Sequence, residues 1–207
     1  MSHTLHRYGN AENLKGDYVV FAIAAQTVNA KGINPEFTEF EKIARKYNPV
    51  NYGDMRTGND FNVGPDVVGH PYYDNTIVHA VYTDEETVAA VLKELTEADL
   101  NISIVVSGLL EQVAECCHKA GIGPHTVEYS MGIWGQTQKL PEEAVLSIST
   151  MCGHGMISFN LIKDMAGKIK KGILSSEQAA KKLAGLCHCG VFNPDRAAKI
   201  FDQMVAE

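Results

Sequence analysis

Three of the five cysteines in this 207-residue chain fall in two short clusters, each closed by glycine. Cys152 stands in Met151-Cys152-Gly153-His154-Gly155, and Cys187 and Cys189 stand 35 residues further on, in Cys187-His188-Cys189-Gly190. Thiolate and imidazole bind soft and borderline metals, and thiolate is also the strongest protein nucleophile at neutral pH. Two chemistries are therefore on offer: holding a metal, or reacting as bare thiols.

Three thiolates from Cys152, Cys187 and Cys189 suit a [4Fe–4S] cluster. Such clusters ordinarily take four cysteines, so one iron would be left for substrate. An open iron polarises a hydroxyl or carboxylate as a Lewis acid. This reading predicts a lyase of the hydratase type acting on a small anionic substrate. His154 is the candidate acid–base group, two residues from a ligand and tunable near neutral pH. Asp54 is a second catalytic candidate. Arg56, Arg196 and Lys199 are the cations expected to fix a carboxylate. Zinc on the cysteines plus His154 or His188 is the alternative metal, although the spacing matches no standard Cys-x2-Cys finger. Outside metal enzymology stand a metal-independent thiol isomerase or racemase, and a non-enzymatic cluster carrier or redox sensor. Cys116 and Cys117 are adjacent on an expected helix and diverge by about 100°, so both cannot point at one centre; Cys117 lies on the apolar stripe and reads as core.

The pentapeptide Met151–Gly155 resembles the segment around the first catalytic cysteine of the proline racemase family. That resemblance implies α-proton abstraction by two opposed thiols without a cofactor. It covers five residues. The family's second segment, Asp-Arg-Ser-Pro-Cys-Gly-Thr-Gly, has no counterpart here, and the motif lies nearer the C-terminus. The chain is not assigned to that family.

The elements that must position these residues follow from periodicity. Tyr18–Ala24 is a continuous apolar run of strand length, suited to burial on both faces. Phe37, Phe40, Ile43, Ala44 and Tyr47 recur at helical spacing behind Pro35 and Glu36, and Pro49 stops that helix. Residues 48–75 show no period and are rich in glycine and proline. A connection of this length is commonly functional. It is expected to fold over the cysteines as a lid, with Gly53 and Gly58 as hinges, and to bring Asp54 and Arg56 to the site. Thr76–Tyr82, Ile102–Val106 and Thr126–Ile133 read as strands, separated by helices with stripes at Val88, Val91, Leu92, Leu95 and at Leu110, Val113, Ala114, Cys117. A capping box at Thr83 and Glu86 opens the first of these helices. This βαβαβ order predicts right-handed crossovers and a partly parallel sheet. Residues around Leu146–Ser149 alternate and suggest a short strand running into Cys152, whose thiolate would then face the next helix N-terminus. Helices follow at Ile157–Ile169, behind the capping box Ser175/Gln178, and behind Asn193-Pro194. The predicted class is α/β: a domain over 1–150 with its loop at 48–75, and a helical cysteine-bearing segment over 151–207 packed on the same domain.

Composition bounds the rest. A hydrophobic content of 45% with 21% charged residues is ordinary for a globular chain. The net charge of −7 argues against general nucleic-acid binding. Residues 160–207 hold eight Lys/Arg against five acids, a local +3 that leaves −10 over residues 1–159. That field favours an anionic ligand near the cysteines. No apolar span reaches membrane length, and no apolar core follows Met1. Clustered thiols without an export signal point to a reducing cytoplasm. A homo-oligomer is admitted, with no residue yet marking its interface.

Overall fold

A computed structural model describes residues 6–206. Its centre is a five-stranded sheet in the order β3-β2-β4-β1-β5. β1 is Tyr18–Ile23, β2 Asn51–Asp54, β3 Gly58–Asn59, β4 Ile77–Tyr82 and β5 Ser103–Ser107. Every pairing among the described residues is antiparallel. This corrects the expected partly parallel sheet. The helical crossovers do return strands running in the same direction, but each leaves a gap that another strand fills. β4 lies between β1 and β2, and β1 lies between β4 and β5. The result is a pair of interlocked split βαβ units. Periodicity reports strand direction and is blind to which strand occupies the gap.

The apolar run of β1 is buried on both faces, as its composition requires. Tyr18, Val20 and Ala22 join Val78, Ala80 and Tyr82 in one core. That core is covered by α2 (Asn34–Lys46), α3 (Glu85–Ala98) and α4 (Leu110–Lys119). Both Cys116 and Cys117 are buried there, and burial, the largest influence on each, pushes both thiols up, Cys116 to about 11. α3 starts one residue later than its expected capping box, with Asp84 accepting from the Thr87 N–H.

On the opposite face Val19, Phe21 and Val81 pack under a second layer. Its helices are α5 (Glu143–Ser149), α6 (Phe159–Lys170), α7 (Ser176–Leu186) and α8 (Pro194–Ala206). The capping box Ser175/Gln178 is present, and Asn193 caps α8 through the Arg196 N–H at 2.9 Å. Two expected strands are absent. Leu146–Ser149 lies in α5, because Val145, Leu146 and Ile148 are buried as one helical face. Thr126–Ile133 is exposed and forms no strand among the described residues, and a short α-helix, α1 (Ala11–Leu14), precedes β1.

Candidate thiol site

Cys152, Cys187 and Cys189 meet in the second core, each at most 2% exposed. Their elements are turns at helix ends. Cys152 follows the C-terminus of α5, and its carbonyl accepts from Gly155 N at 3.0 Å. Cys187 is the C-cap of α7, and its carbonyl accepts from Gly190 N at 2.9 Å. Cys152 thus sits well before α6, which starts at Phe159, so a helix N-terminus is not what tunes it.

What tunes it is another thiol. Cys187 is within hydrogen-bonding reach of both Cys152 and Cys189. Donation from Cys187 is the largest influence on Cys152 and lowers it to about 6. Burial opposes this, and the backbone N–H groups of Met156 and His154 and the imidazole of His154 reinforce it. Cys189 is lowered to about 7, again mainly by Cys187, with help from Val191 N–H and His154. Cys187, whose one S–H can serve either neighbour and which is deeply buried, is raised well above an ordinary thiol. A helix C-terminus is also the wrong end to hold an anion. Of the three, Cys187 is the thiol that keeps its proton longest. His154 is exposed on the glycine turn, with Nδ1 3.8 Å from Cys189 Sγ.

The cysteine turns are held by the loop of residues 48–75. Part of that loop is the β2–β3 hairpin, and it grips the end of α7. Asn59 Nδ2 donates to the Cys187 carbonyl at 2.8 Å, and Asn51 Nδ2 donates to the Phe192 carbonyl at 2.9 Å. Gly53 lies backbone to backbone on the Cys189–Gly190 peptide. A Cβ on Gly53 would stand 2.6 Å from the Cys189 carbonyl oxygen, and one on Gly190 (φ +78°) would stand 2.6 Å from Gly53 Cα. Gly53 is therefore a contact surface inside a strand. Sequence reasoning missed Asn51 as an anchor, and took Asn59 for a site residue. Their only signal was a polar residue inside a strand-length stretch, and buried polar groups need partners.

The other expected residues are placed elsewhere. Asp54 is fully buried and closes the turn after β2, accepting from Arg56 N at 3.1 Å, Thr57 Oγ1 at 2.9 Å and the Thr76 hydroxyl. Arg56 and Lys199 are exposed. Arg196 is 3% exposed and engaged. Its Nη1 pairs with Asp17 Oδ2 at 2.8 Å, and it also donates to Asn13 Oδ1 and the Tyr8 carbonyl, both at 2.6 Å. His188, between the two cysteines, is exposed.

Among the described residues, no group of three or more Cys, His, Asp or Glu side chains is set so as to hold a metal ion. Among the same residues no helix is long and apolar enough to cross a membrane. Comparison with family models, curated proteins and solved structures finds no match for this chain.

Proposed function

We propose that Cys152, Cys187 and Cys189 form a thiol–disulfide redox site. The observation that carries this reading is the meeting of three buried cysteines, with Cys187 placed to hydrogen-bond to either of the other two. The Cys152 thiolate attacks one sulfur of a low-molecular-weight disulfide, whose S–S bond breaks and releases one thiolate. A mixed disulfide remains on Cys152. Cys187 passes its proton to the Cys189 thiolate and attacks Cys152 Sγ, expelling the second small thiolate, which solvent protonates. Two protein thiols lose two electrons in all, and the small disulfide becomes two thiols. The exposed turn Gly153–Met156 covers Cys152 and is the segment that must yield to admit the reagent.

A racemase reading fares less well. Two opposed thiols need the substrate between them, and these thiols hydrogen-bond to one another. The metal reading, [4Fe–4S] or zinc, keeps one support, the burial of three cysteines in one core, and has against it that no metal-holding group occurs among the described residues. On that reading Cys187 loses its proton to the metal, and the groups left for a small carboxylate are Arg56 and Lys199, since Arg196 is spent on Asp17.

Anaerobic purification followed by reaction with a small disulfide tests both readings. Peptide mapping is expected to show a Cys152–Cys187 crosslink, with Cys116 and Cys117 still reduced. The Cys187→Ser variant is expected to stop at the mixed disulfide on Cys152. Stoichiometric iron with sulfide, or zinc, bound to a protein whose three thiols resist the reagent would establish the metal reading instead. Metal-free protein that forms neither disulfide sinks the redox proposal.

A further inference from the structure

The chain contains a sheet edge without a strand and a strand without a sheet. β5 lies at the edge of the sheet and pairs only with β1 among the described residues. It is Ser-Ile-Val-Val-Ser, uncharged throughout. Natural sheet edges are ordinarily guarded by lysine, proline, a bulge or a covering element. Thr126–Ile133 meanwhile alternates polar or small with apolar residues at a strict period of two: Thr126, Glu128, Ser130 and Gly132 against Val127, Tyr129, Met131 and Ile133. That is the pattern of a half-buried strand. Among the described residues it runs exposed and pairs with no strand, across a cleft of about 1190 Å³ from β5, with Ser130 Oγ 3.1 Å from His6 Nδ1.

Exposure here is too large to be incidental. Tyr129 is 70% exposed, and Met131 and Trp134 are each 78% exposed. With Val127 and Ile133 these side chains leave roughly 600 Å² of apolar surface in water, taking about 150–250 Å² for a full aromatic side chain. The largest apolar patch of a monomer is about 300–600 Å² and is often functional. With the edge of β5 and the apolar walls of the cleft, the area approaches the roughly 800 Å² per partner of a stable interface. Charge permits the approach of a like molecule. The chain is −7 overall, yet Glu128 is the only Asp, Glu, Lys or Arg between residues 120 and 138.

We propose that this face joins two copies of the chain, each supplying residues 126–133 as an added strand on the open edge of the other's β5. Val127, Tyr129, Met131 and Ile133 then enter the partner's cleft, against Leu95, Ile104, Val106 and Val113, which share one face of the sheet. One chain supplies both halves of the contact, so the interface is two-fold and closed. The same physics holds when an extended peptide is added to a sheet edge.

Trp134 is the sole tryptophan, so its fluorescence reads this segment alone. Sedimentation equilibrium of the full chain across the micromolar range is expected to give twice the mass of one chain, falling to one on dilution. Trp134 emission is expected to shift from a buried to an exposed maximum with the same midpoint. Met131→Glu changes a residue exposed in the monomer, so its fold is expected to survive by circular dichroism. It should weaken association about 100-fold or more, since a charge would enter an apolar interface. Ile104→Lys, on the receiving edge, should do the same. A single-chain mass at every concentration overturns the proposal, because the segment would then fold on its own chain or take a different partner. So does a dimer that survives both variants, or one in which Trp134 keeps its exposed emission.

Discussion

Cys187 differs from its neighbours in having a sulfur acceptor on either side for its one S–H. That single donor sets the chemistry of Cys152 and Cys189, and its role can be measured. Iodoacetamide modification of Cys152, followed by mass spectrometry, is expected to rise through a midpoint near pH 6, because its thiol is lowered to about 6 from 9.0. Cys187→Ala removes the largest cause and should move that midpoint up toward the ordinary thiol range. Cys187→Ser retains an O–H donor and should move it less. A Cys152 midpoint unchanged in Cys187→Ala would show that the Met156 and His154 N–H groups suffice alone. The cysteines were legible from the sequence because clustered thiols are rare and chemically loud. The contact of the three sulfurs was not, since a hydrogen bond between Cys187 and either neighbour depends on two turns meeting in space. Nor was the fate of Arg196: its charge is visible in the sequence, but Asp17, its partner 179 positions away, is not marked by any local pattern.

Among the elements, the β2–β3 hairpin carries most weight for the site, and it was the hardest to read. Asn51-Tyr52-Gly53-Asp54 has neither apolar alternation nor β-branched residues, yet all four are buried. Asn51 Nδ2 and Asp54 bond to the Phe192 carbonyl and to the stretch's own loop, while Asn51 Oδ1 finds no partner among the described residues, so the usual signature of a strand is missing. By contrast β1, β4, α2 and α7 were legible because an apolar face or a cap alone specifies them. Thr126–Ile133 reads as a strand by its alternation, yet it forms none among the described residues. The Gly53–Gly190 contact gives a direct test of the hairpin's role. Gly190→Ala must carry a side chain at φ +78° and force its Cβ to within 2.6 Å of Gly53 Cα. The expected cost is about 2–4 kcal/mol by urea unfolding, combining left-handed strain with overpacking. Gly121→Ala, also at positive φ but with nothing within 4 Å, should cost only the strain. Equal losses in the two variants would mean that the backbone contact is unimportant.

For the molecule as a whole, the N-terminal residues and the last helix are joined by one buried charge cluster. Burial pushes the Asp17 carboxyl up, but Arg7 and Arg196 outweigh it and hold the carboxyl below its usual 3.8. A depressed carboxylate contributes stability that is complete above its unfolded value and is lost as pH falls through the lower folded one. Acid unfolding is therefore expected to steepen below about pH 4. Arg196→Ala leaves the buried Asp17 with Arg7 alone and should cost about 3 kcal/mol, moving the acid transition toward neutral pH. An acid transition that Arg196→Ala does not move would place the cluster's contribution elsewhere. The same stitching has a bearing on how the protein is made. Asn51, Gly53 and Asn59 leave the ribosome long before Cys187 and Cys189, and Cys152 comes out between them. Until the end of α7 is gripped by the hairpin, the three sulfurs are strangers to one another. A nascent chain therefore cannot bring the three sulfurs together before Cys187 and Cys189 have emerged and the hairpin has gripped the end of α7.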